Sequence, residues 1–444
     1  MRTAVVLFTR DLRVRDNPAL ATACANAERV VPLFVFDDRL RGISANRARF
    51  LHQAVADLRA TFRGLGGDLV IRTGDPVAET MALARQVNAE GVAMAADVST
   101  FARAQERRFA AECEQHRMSF RLFPGLTVVS PGDLAPGGGA GHYRVFSPYH
   151  RAWAAAGWRA EVAAPRRITL PDGIEVGRLP VVPDGDSPDT VTGGETEGRR
   201  RVTTWLRHVG PYAELHNDMP ADGTSRLSAY LRFGCVSPLA LANAVHKLDG
   251  EGSAAFVRQL CWRDFYYQVT YAFPKISTEA YRRSGDVDWR SDQDALRHWQ
   301  DGLTGVPIVD AGMRQMRVEG WMHNRARLIT GAFLTKHLGL DWRAGVEWFF
   351  RWLLDGDVAN NSGNWQWIAG TGNDTKPYRR FNAIRQAERF DPDGVYVRRY
   401  VPELKSVEGK AVHQPWRLPD GVRRGLDYPA PLESHRDEAV WLRL

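Results

Sequence analysis

Three pieces of sequence between Glu319 and Arg380 decide the reading: GWMHNRARLIT (320–330), DWRAGVEWFFRWL (341–353) and DGDVANNSGNWQWIAGTGNDTKPYRR (355–380). Leu328, Ile329, Phe333 and Leu334, then Trp348, Phe349, Trp352 and Leu353, recur at helical spacing, which predicts two buried helices. Set among them are Asn324, Arg327, Asp355, Asp357, Asn360 and Asn361. Carboxylates beside so much aromatic surface are costly unless they are paired or bind something. A plain helical core leaves that combination unexplained; a ligand site explains it.

Upstream the pattern is different. A short apolar run at residues 3–9 is followed by RDLRVRDNPAL, which opens a helix. Buried strands are expected at 30–36, 68–72 and 91–95, and helices at 47–62 and 76–88. Short continuous apolar runs alternating with helices imply a parallel sheet wound by right-handed crossovers, so residues 1–129 are expected to form a Rossmann-like α/β domain. No Gly-x-Gly-x-x-Gly follows the first strand, and PGGGAGH (136–142) opens no helix, so the dinucleotide fingerprint is absent. Residues 163–198 are rich in Pro, Gly, Asp and Thr, and 130–198 reads as an interdomain linker with one short helix in YRVFSPYHRAW. Helices are then expected at 197–209, 237–248, 252–272, 292–301, 308–319, 324–337 and 341–354. Residues 199–444 therefore read as an all-α domain.

Composition sets the outer limits. The 444 residues are 44% hydrophobic and 25% charged, enough for two or three well-cored domains. No apolar run approaches the roughly 18 residues of a membrane span, and the N-terminus reads as a first strand rather than a signal peptide. Cys24, Cys113, Cys235 and Cys261 are scattered without CxxC or paired-His spacing, so neither a disulfide framework nor a metal site is expected, and a cytoplasmic location fits. The net charge of +7, carried mostly by arginine, favours a polyanionic partner. No Ser/His/Asp constellation stands out.

TSRLS (224–228), WRDFY (262–266), GWMHNRAR (320–327), DGDVANNSGNWQW (355–367) and FNAIRQAERFDPDGVYVRRYVPEL (381–404), in this order and spacing, resemble the photolyase/cryptochrome family from about residue 2 to residue 416. The resemblance implies that the all-α domain binds FAD. An all-α domain lacking a phosphate-cradling glycine loop must hold a pyrophosphate by side chains and helix N-termini. Tyr212, Thr224, Ser225, Leu227 and Ser228 are implied on the phosphate and ribityl side, with Arg226 among the hydroxyls and Arg263 at the cofactor region. Read alone, the same stretch is an ordinary helix cap with a surface arginine. Arg327 and Asp355 resemble a buried ion pair flanking the flavin, and Asp357 resembles the carboxylate at the pyrimidine edge of its ring. Asn361 matches the position facing flavin N5, where an amide donates or accepts a hydrogen bond without being an acid. That amide is the photolyase habit; plant cryptochromes have Asp there and animal ones Cys.

Trp365, Trp342 and Trp289 fall on the family's chain of three tryptophans, which carries electrons from the surface to the photoexcited flavin. Trp262, Asn324 and Trp367 resemble the pocket for a flipped-out pyrimidine dimer, whose walls replace the stacking lost on leaving the duplex. Arg325 resembles a phosphate clamp on the damaged strand; its plain alternative is a solvated helix arginine. Two positions depart from folate-antenna bacterial dimer photolyases: Gln259 replaces a glutamate and Leu328 a methionine. The family's N-terminal domain holds a light-harvesting antenna. Ser99 and Thr100 stand where folate-binding relatives have an Asn–Glu pair, so a chromophore of the 8-hydroxy-5-deazaflavin type fits better than methenyltetrahydrofolate, with Arg10, Asp37, Arg47 and Asp97 as candidate contacts.

The expected function is light-driven repair of cyclobutane pyrimidine dimers in UV-damaged DNA, by a monomer with no membrane association. The rivals are a blue-light receptor (a cryptochrome), for which a long C-terminal tail and a changed N5 partner are expected, and a (6-4) photolyase, for which a histidine pair is expected. The chain ends soon after VPEL and HQPW, keeps Asn361, and shows only His323 in GWMHNRAR, read as an ordinary helix residue.

Overall fold

The computed structural model describes residues 1–137, 139, 141–282, 288–373 and 381–432. The DTKPYRR end of the stretch quoted first (374–380), two positions of PGGGAGH (138 and 140) and the residues after 432 lie outside the described residues. The chain forms two compact units: Met1–Gly185, Val191–Gly210 and Ser225–Lys275 make the first, and Asp186–Thr190, Pro211–Thr224 and Ile276–Leu444 the second. These units do not follow the sequence segments, because residues 191–210 and 225–275 cluster with the first unit.

The first unit is built on β1 (Thr3–Phe8), β2 (Arg29–Phe36), β3 (Val70–Thr73), β4 (Gly91–Ala95) and β5 (Ser119–Phe123). All are parallel, in the order β3-β2-β1-β4-β5. Every residue of β1 is buried, as a central strand covered on both faces requires. Between the strands run α1 (Pro18–Asn26), α2 (Ala45–Gly64), α3 (Pro76–Gln86) and α4 (Thr100–Gln115). The sequence reading missed β5 and α4. β5 is an edge strand with no fully buried residue, so it shows no apolar run. α4 buries only Gln105, Phe109 and Cys113 among its charges.

The segment read as a linker is fastened along its length. Val30 N donates to Thr169 O at 3.0 Å, Ile71 N to Val176 O at 2.8 Å, and Ile168 N to Leu65 O at 2.9 Å. Ile168 is fully buried. The unit is completed by α5 (Phe146–Ala155), α6 (Glu195–Leu206), α7 (Ser228–Phe233), α8 (Pro238–His246) and α9 (Glu251–Ala272). The RDLRVRD loop after β1 is organised by Arg13, whose buried guanidinium donates to the carbonyls of Arg15, Asp16, Gly125 and Gly234.

The second unit is helical: α10 (Gln293–Asp301), α11 (Pro307–Glu319), α12 (Asn324–Ala332), α13 (Trp342–Trp352), α14 (Val358–Ala369), α15 (Ala383–Phe390) and α16 (Val395–Tyr400). The expected helix 324–337 changes character on the way, since Phe333–His337 winds as a π-helical turn. α14, which carries the VANNSGNWQW motif, was not anticipated. Its apolar residues face several ways, and an Asp357 N-cap opens it. The core gathers Trp299, Phe333, Trp342, Phe349 and Trp365 with the apolar faces of α11 to α16.

Candidate functional site

In the second unit, α12 and α14 carry the polar groups singled out in the sequence. Arg327, on the first turn of α12, forms a two-pronged ion pair with Asp355: Nη1 to Oδ1 at 3.1 Å and Nη2 to Oδ2 at 2.7 Å. Its Nε donates to Met322 O at 2.9 Å, which fixes the plane of the fork. The Asp355 side chain is only 5% exposed, so the pairing offsets a large desolvation penalty. Two residues on, Asp357 caps α14, with Oδ1 accepting from Asn360 N at 2.8 Å and Asn360 Nδ2 at 3.0 Å. Asn361, half-buried on the first turn, donates through Nδ2 to Val346 O at 3.2 Å. The short DGD turn thus presents a paired and a capping carboxylate, and the next helical turn an amide.

The tryptophans meet in one core. Trp342 and Trp365 are buried within it and Trp289 is partly buried at its margin. Arg290 forms a bridge with Leu340, which brings the Trp289 segment beside the start of α13. The Trp365 indole lies edge-on to Phe349 at 4.9 Å and to Trp299 at 6.1 Å. Trp299 was not singled out from the sequence; it is fully buried and donates from Nε1 to Thr330 O at 3.0 Å. Trp365 Nε1, by contrast, is buried with no hydrogen-bond partner among the described residues.

Asn324 is exposed and Leu328 and Trp367 are half-buried. His323 is not an ordinary helix residue. It is buried, and it caps α12, its Nδ1 accepting from Arg325 N at 3.1 Å. Its own backbone N–H donates to the Gln315 side chain at 3.0 Å, so the turn before α12 is tied to α11. Arg325 is no freely solvated arginine: Nε donates to Asn217 Oδ1 at 2.6 Å, and its guanidinium lies 4.3 Å from the Phe390 ring centre. Burial, and secondarily the charge of Arg389, lower its pKa. Tyr212 is buried, its ring tilted against His216 with centres 5.0 Å apart, and burial pushes its phenol pKa well up.

The TSRLS stretch is sharply turned. Arg226 has φ +50°, a left-handed conformation rare for a side-chain-bearing residue, and Ser225 Oγ accepts from Leu227 N at 3.3 Å. Thr224 Oγ1 and Ser228 Oγ are each buried with no hydrogen-bond partner among the described residues. Buried hydroxyls left unsatisfied are uncommon, and such donors suit a phosphate or ribityl oxygen.

In the first unit, α9 carries Gln259 (exposed) and Trp262 (half-buried) one turn apart. Arg263 donates to the carbonyls of Leu126 and Leu231 and, at 3.1 Å, to Tyr267 Oη. Its described contacts therefore brace α9 against the loop after β5 and against α7. Beside it, Asp264 was missed as a site residue although it lies inside WRDFY. It is fully buried and its Oδ2 accepts from Val128 N, Val129 N and Trp153 Nε1 at 2.8, 3.1 and 3.0 Å. Burial outweighs these donors and raises its pKa to about 6.

The four antenna candidates divide. Arg10, after β1, pairs with Asp97, after β4, at 2.9 Å and donates to Tyr267 Oη at 2.6 Å. β1 and β4 flank the point where the strand order reverses, the usual ligand position in such sheets. Asp37 instead caps the turn after β2 and pairs with Arg39. Arg47 sits on the first turn of α2, where its Nε donates to Ser44 Oγ at 3.2 Å and burial lowers its pKa to about 10.

Comparison with known proteins agrees with this architecture. Residues 4–166 match the DNA photolyase family model, and residues 256–441 match the FAD binding domain of DNA photolyase. The chain belongs to the photolyase/cryptochrome family. It is 46% identical over 442 residues to a deoxyribodipyrimidine photo-lyase of Streptomyces griseus, covering 97% of this chain and 96% of that protein. A cryptochrome DASH of Natronomonas pharaonis is 37% identical over 97% of this chain and 98% of its own length. The crystal structure of a class III photolyase from Agrobacterium tumefaciens superposes with a TM-score of 0.92 at 32% identity, covering 98% of this chain and 95% of that one. The family assignment makes FAD the cofactor of the helical region, and the unsatisfied Thr224 and Ser228 hydroxyls, the Arg327–Asp355 pair and Asp357 are side chains of the kind such a group requires. No described helix is long and apolar enough to cross a membrane.

Proposed function

We propose that this protein is a light-driven DNA repair enzyme that splits cyclobutane pyrimidine dimers in UV-damaged DNA. The observation that carries the reading is the polar strip Arg327–Asp355–Asp357–Asn361 set directly against a core holding Trp342 and Trp365. The 46% identity to a protein named deoxyribodipyrimidine photo-lyase supports it over nearly the whole chain. Reduced FAD, when bound and excited, supplies one electron to the dimer and recovers it after the two inter-base bonds break, so no net redox change occurs.

The chain's own residues have simpler tasks. Thr224, Ser225 and Ser228 hydroxyls and Tyr212 hold the phosphate and ribityl side. Arg327 and Asp355 fix each other and so keep one wall rigid, Asp357 offers a carboxylate at the ring edge, and Asn361 presents an amide that is no acid to the N5 side. Trp365, Trp342 and Trp289 relay an electron inward from solvent, which oxidisable indoles do without a metal. Trp262 and Trp367 stack on the extruded dimer, Asn324 and Gln259 hydrogen-bond its carbonyls, Leu328 lines the pocket, and Arg325 grips a backbone phosphate. Arg263 braces α9. At the sheet, the proposed seat of a deazaflavin-type antenna lies beside the Arg10–Asp97 pair, with Asp37 and Arg47 as the other candidate contacts.

The test is blue-light repair of an oligonucleotide carrying one thymine cyclobutane dimer, by photoreduced protein. Light-dependent loss of the dimer is the expected result. No repair by protein that binds and photoreduces FAD would overturn the reading, and would favour first a (6-4) photolyase and then a cryptochrome.

A further inference from the structure

Trp262 is held in a stack of its own. Phe146, the first residue of α5, lies parallel to the Trp262 indole, with 3.6 Å between ring centres and 4° between planes. Aromatic pairs ordinarily sit offset or edge-on with centres 4.5–7 Å apart, so here the phenyl lies unusually directly over the indole. The Arg258 guanidinium lies over the same phenyl, 4.8 Å from its centre. With one face of Phe146 filled by the indole, Arg258 occupies the other. Arg258 and Trp262 are one turn apart on α9, so Phe146 is inserted between two side chains of a single helix face, much as a base sits between its neighbours.

This insertion is firmly backed. Phe146 is 6% exposed. The far end of α5 is anchored by Trp153 Nε1 donating to Asp264 at 3.0 Å, and its middle by Tyr149 against Phe265 at 5.6 Å. Phe265 itself meets Trp262 edge-on at 5.7 Å. A phenyl so enclosed belongs to the wall and is not a removable plug.

We infer that Phe146 is a positioning residue for lesion recognition: together with Tyr266, which meets the indole at 6.0 Å between ring centres and 30° between planes, it fixes the plane of Trp262, the ring proposed to stack on an extruded pyrimidine. The inference rests on the proposed role of Trp262 as a wall of the lesion pocket. An unsupported indole would have to be ordered on binding, whereas a pre-stacked one is already in place. Only a flipped base gains from this. Undamaged duplex keeps its bases stacked internally and is held through its phosphates, which Phe146 does not touch.

The experiment measures dark binding of FAD-loaded wild type, Phe146→Leu, Phe146→Met and Phe146→Tyr to an oligonucleotide with one thymine dimer and to its undamaged twin. Phe146→Met fills the space with little strain and guards against a misfolded Leu variant. The Leu and Met variants are expected to lose between about twofold and tenfold of the preference for the lesion, the worth of one aromatic stack. That loss falls in the lesion arm alone, and Tyr retains the preference. Full preference in both Leu and Met variants, equal weakening of both arms, or a Tyr variant as poor as Leu would each overturn the inference. A wild type with no lesion preference would instead overturn the functional reading, and the inference with it.

Discussion

The side chain that Gly345 lacks would place its Cβ 2.1 Å from Cη2 of the Trp365 indole. Gly331 also approaches the same ring, its missing Cβ 3.3 Å from Trp365 Cζ3. The indole is therefore wedged between two helices that each give up a side chain to admit it. Gly345→Ala gains about 1 kcal/mol of helix propensity but overpacks a core site at a cost of about 1–3 kcal/mol. A net loss of stability in denaturant titration is expected, together with slower FAD photoreduction. A variant as stable as wild type would show that Trp365 has room to move.

Arg327→Met leaves the Asp355 carboxylate, 5% exposed, without its two-pronged partner. Breaking a buried pair from one side costs about 3–5 kcal/mol, and the quarter-exposed Arg327 places this one at about 3 kcal/mol or below. Purified Arg327→Met is expected to unfold at lower denaturant concentration and to carry less FAD per chain, read from the ratio of flavin to protein absorbance. Asp355→Asn, which keeps an acceptor for the guanidinium, is expected to lose less.

Trp342→Phe separates supply of electrons from repair. Phenylalanine keeps a ring in the buried core but is not oxidised in place of indole. Photoreduction of oxidised FAD with an external donor is expected to slow by more than about tenfold, a barrier increase of over about 1.4 kcal/mol. Protein reduced chemically beforehand is expected to repair a thymine-dimer oligonucleotide at the wild-type rate. Equal loss in both assays would remove Trp342 from the relay.

The pH dependence of stability carries the mark of Asp264. Its folded pKa is raised from 3.8 to about 6 by burial, so between these values the folded chain binds the extra proton. Stability from this group is thus greatest below its unfolded pKa and is lost as pH rises towards about 6, by some 2–3 kcal/mol. Asp264→Asn is expected to remove that part of the slope between about pH 4 and pH 7, measured against wild type in parallel urea titrations. Identical slopes in the two proteins would show that the carboxylate is not desolvated.

Much of the fold was legible because burial on both faces leaves a local trace. β1, β2 and β4 are almost wholly buried and read as unbroken apolar runs. β5 leaves no such trace, since SFRLF lies at the sheet margin. The site divides in the same way. Arg327, Asp355, Asp357 and Asn361 were legible as polar residues out of place among aromatics. Their partners across the chain were not: Arg325 finds Asn217, Trp262 finds Phe146, and Trp365 finds Trp299. Such pairs join residues 66 to 116 positions apart and carry no periodicity to read.

The strap that pairs Val176 O with Ile71 N has a consequence for how the chain behaves in a crowd. β3 is an edge strand, and the strap covers its outer side with backbone that already satisfies it. Arg59 Nη2 donating to Gly177 O at 2.9 Å holds that cover down. β5, at the opposite margin, pairs only with β4 among the described strands and leaves Leu122 42% exposed. An uncovered strand edge is a template for joining another chain. The sheet therefore has one sealed border, and at the other the exposed Arg121 beside Leu122 supplies the charge that discourages strand addition.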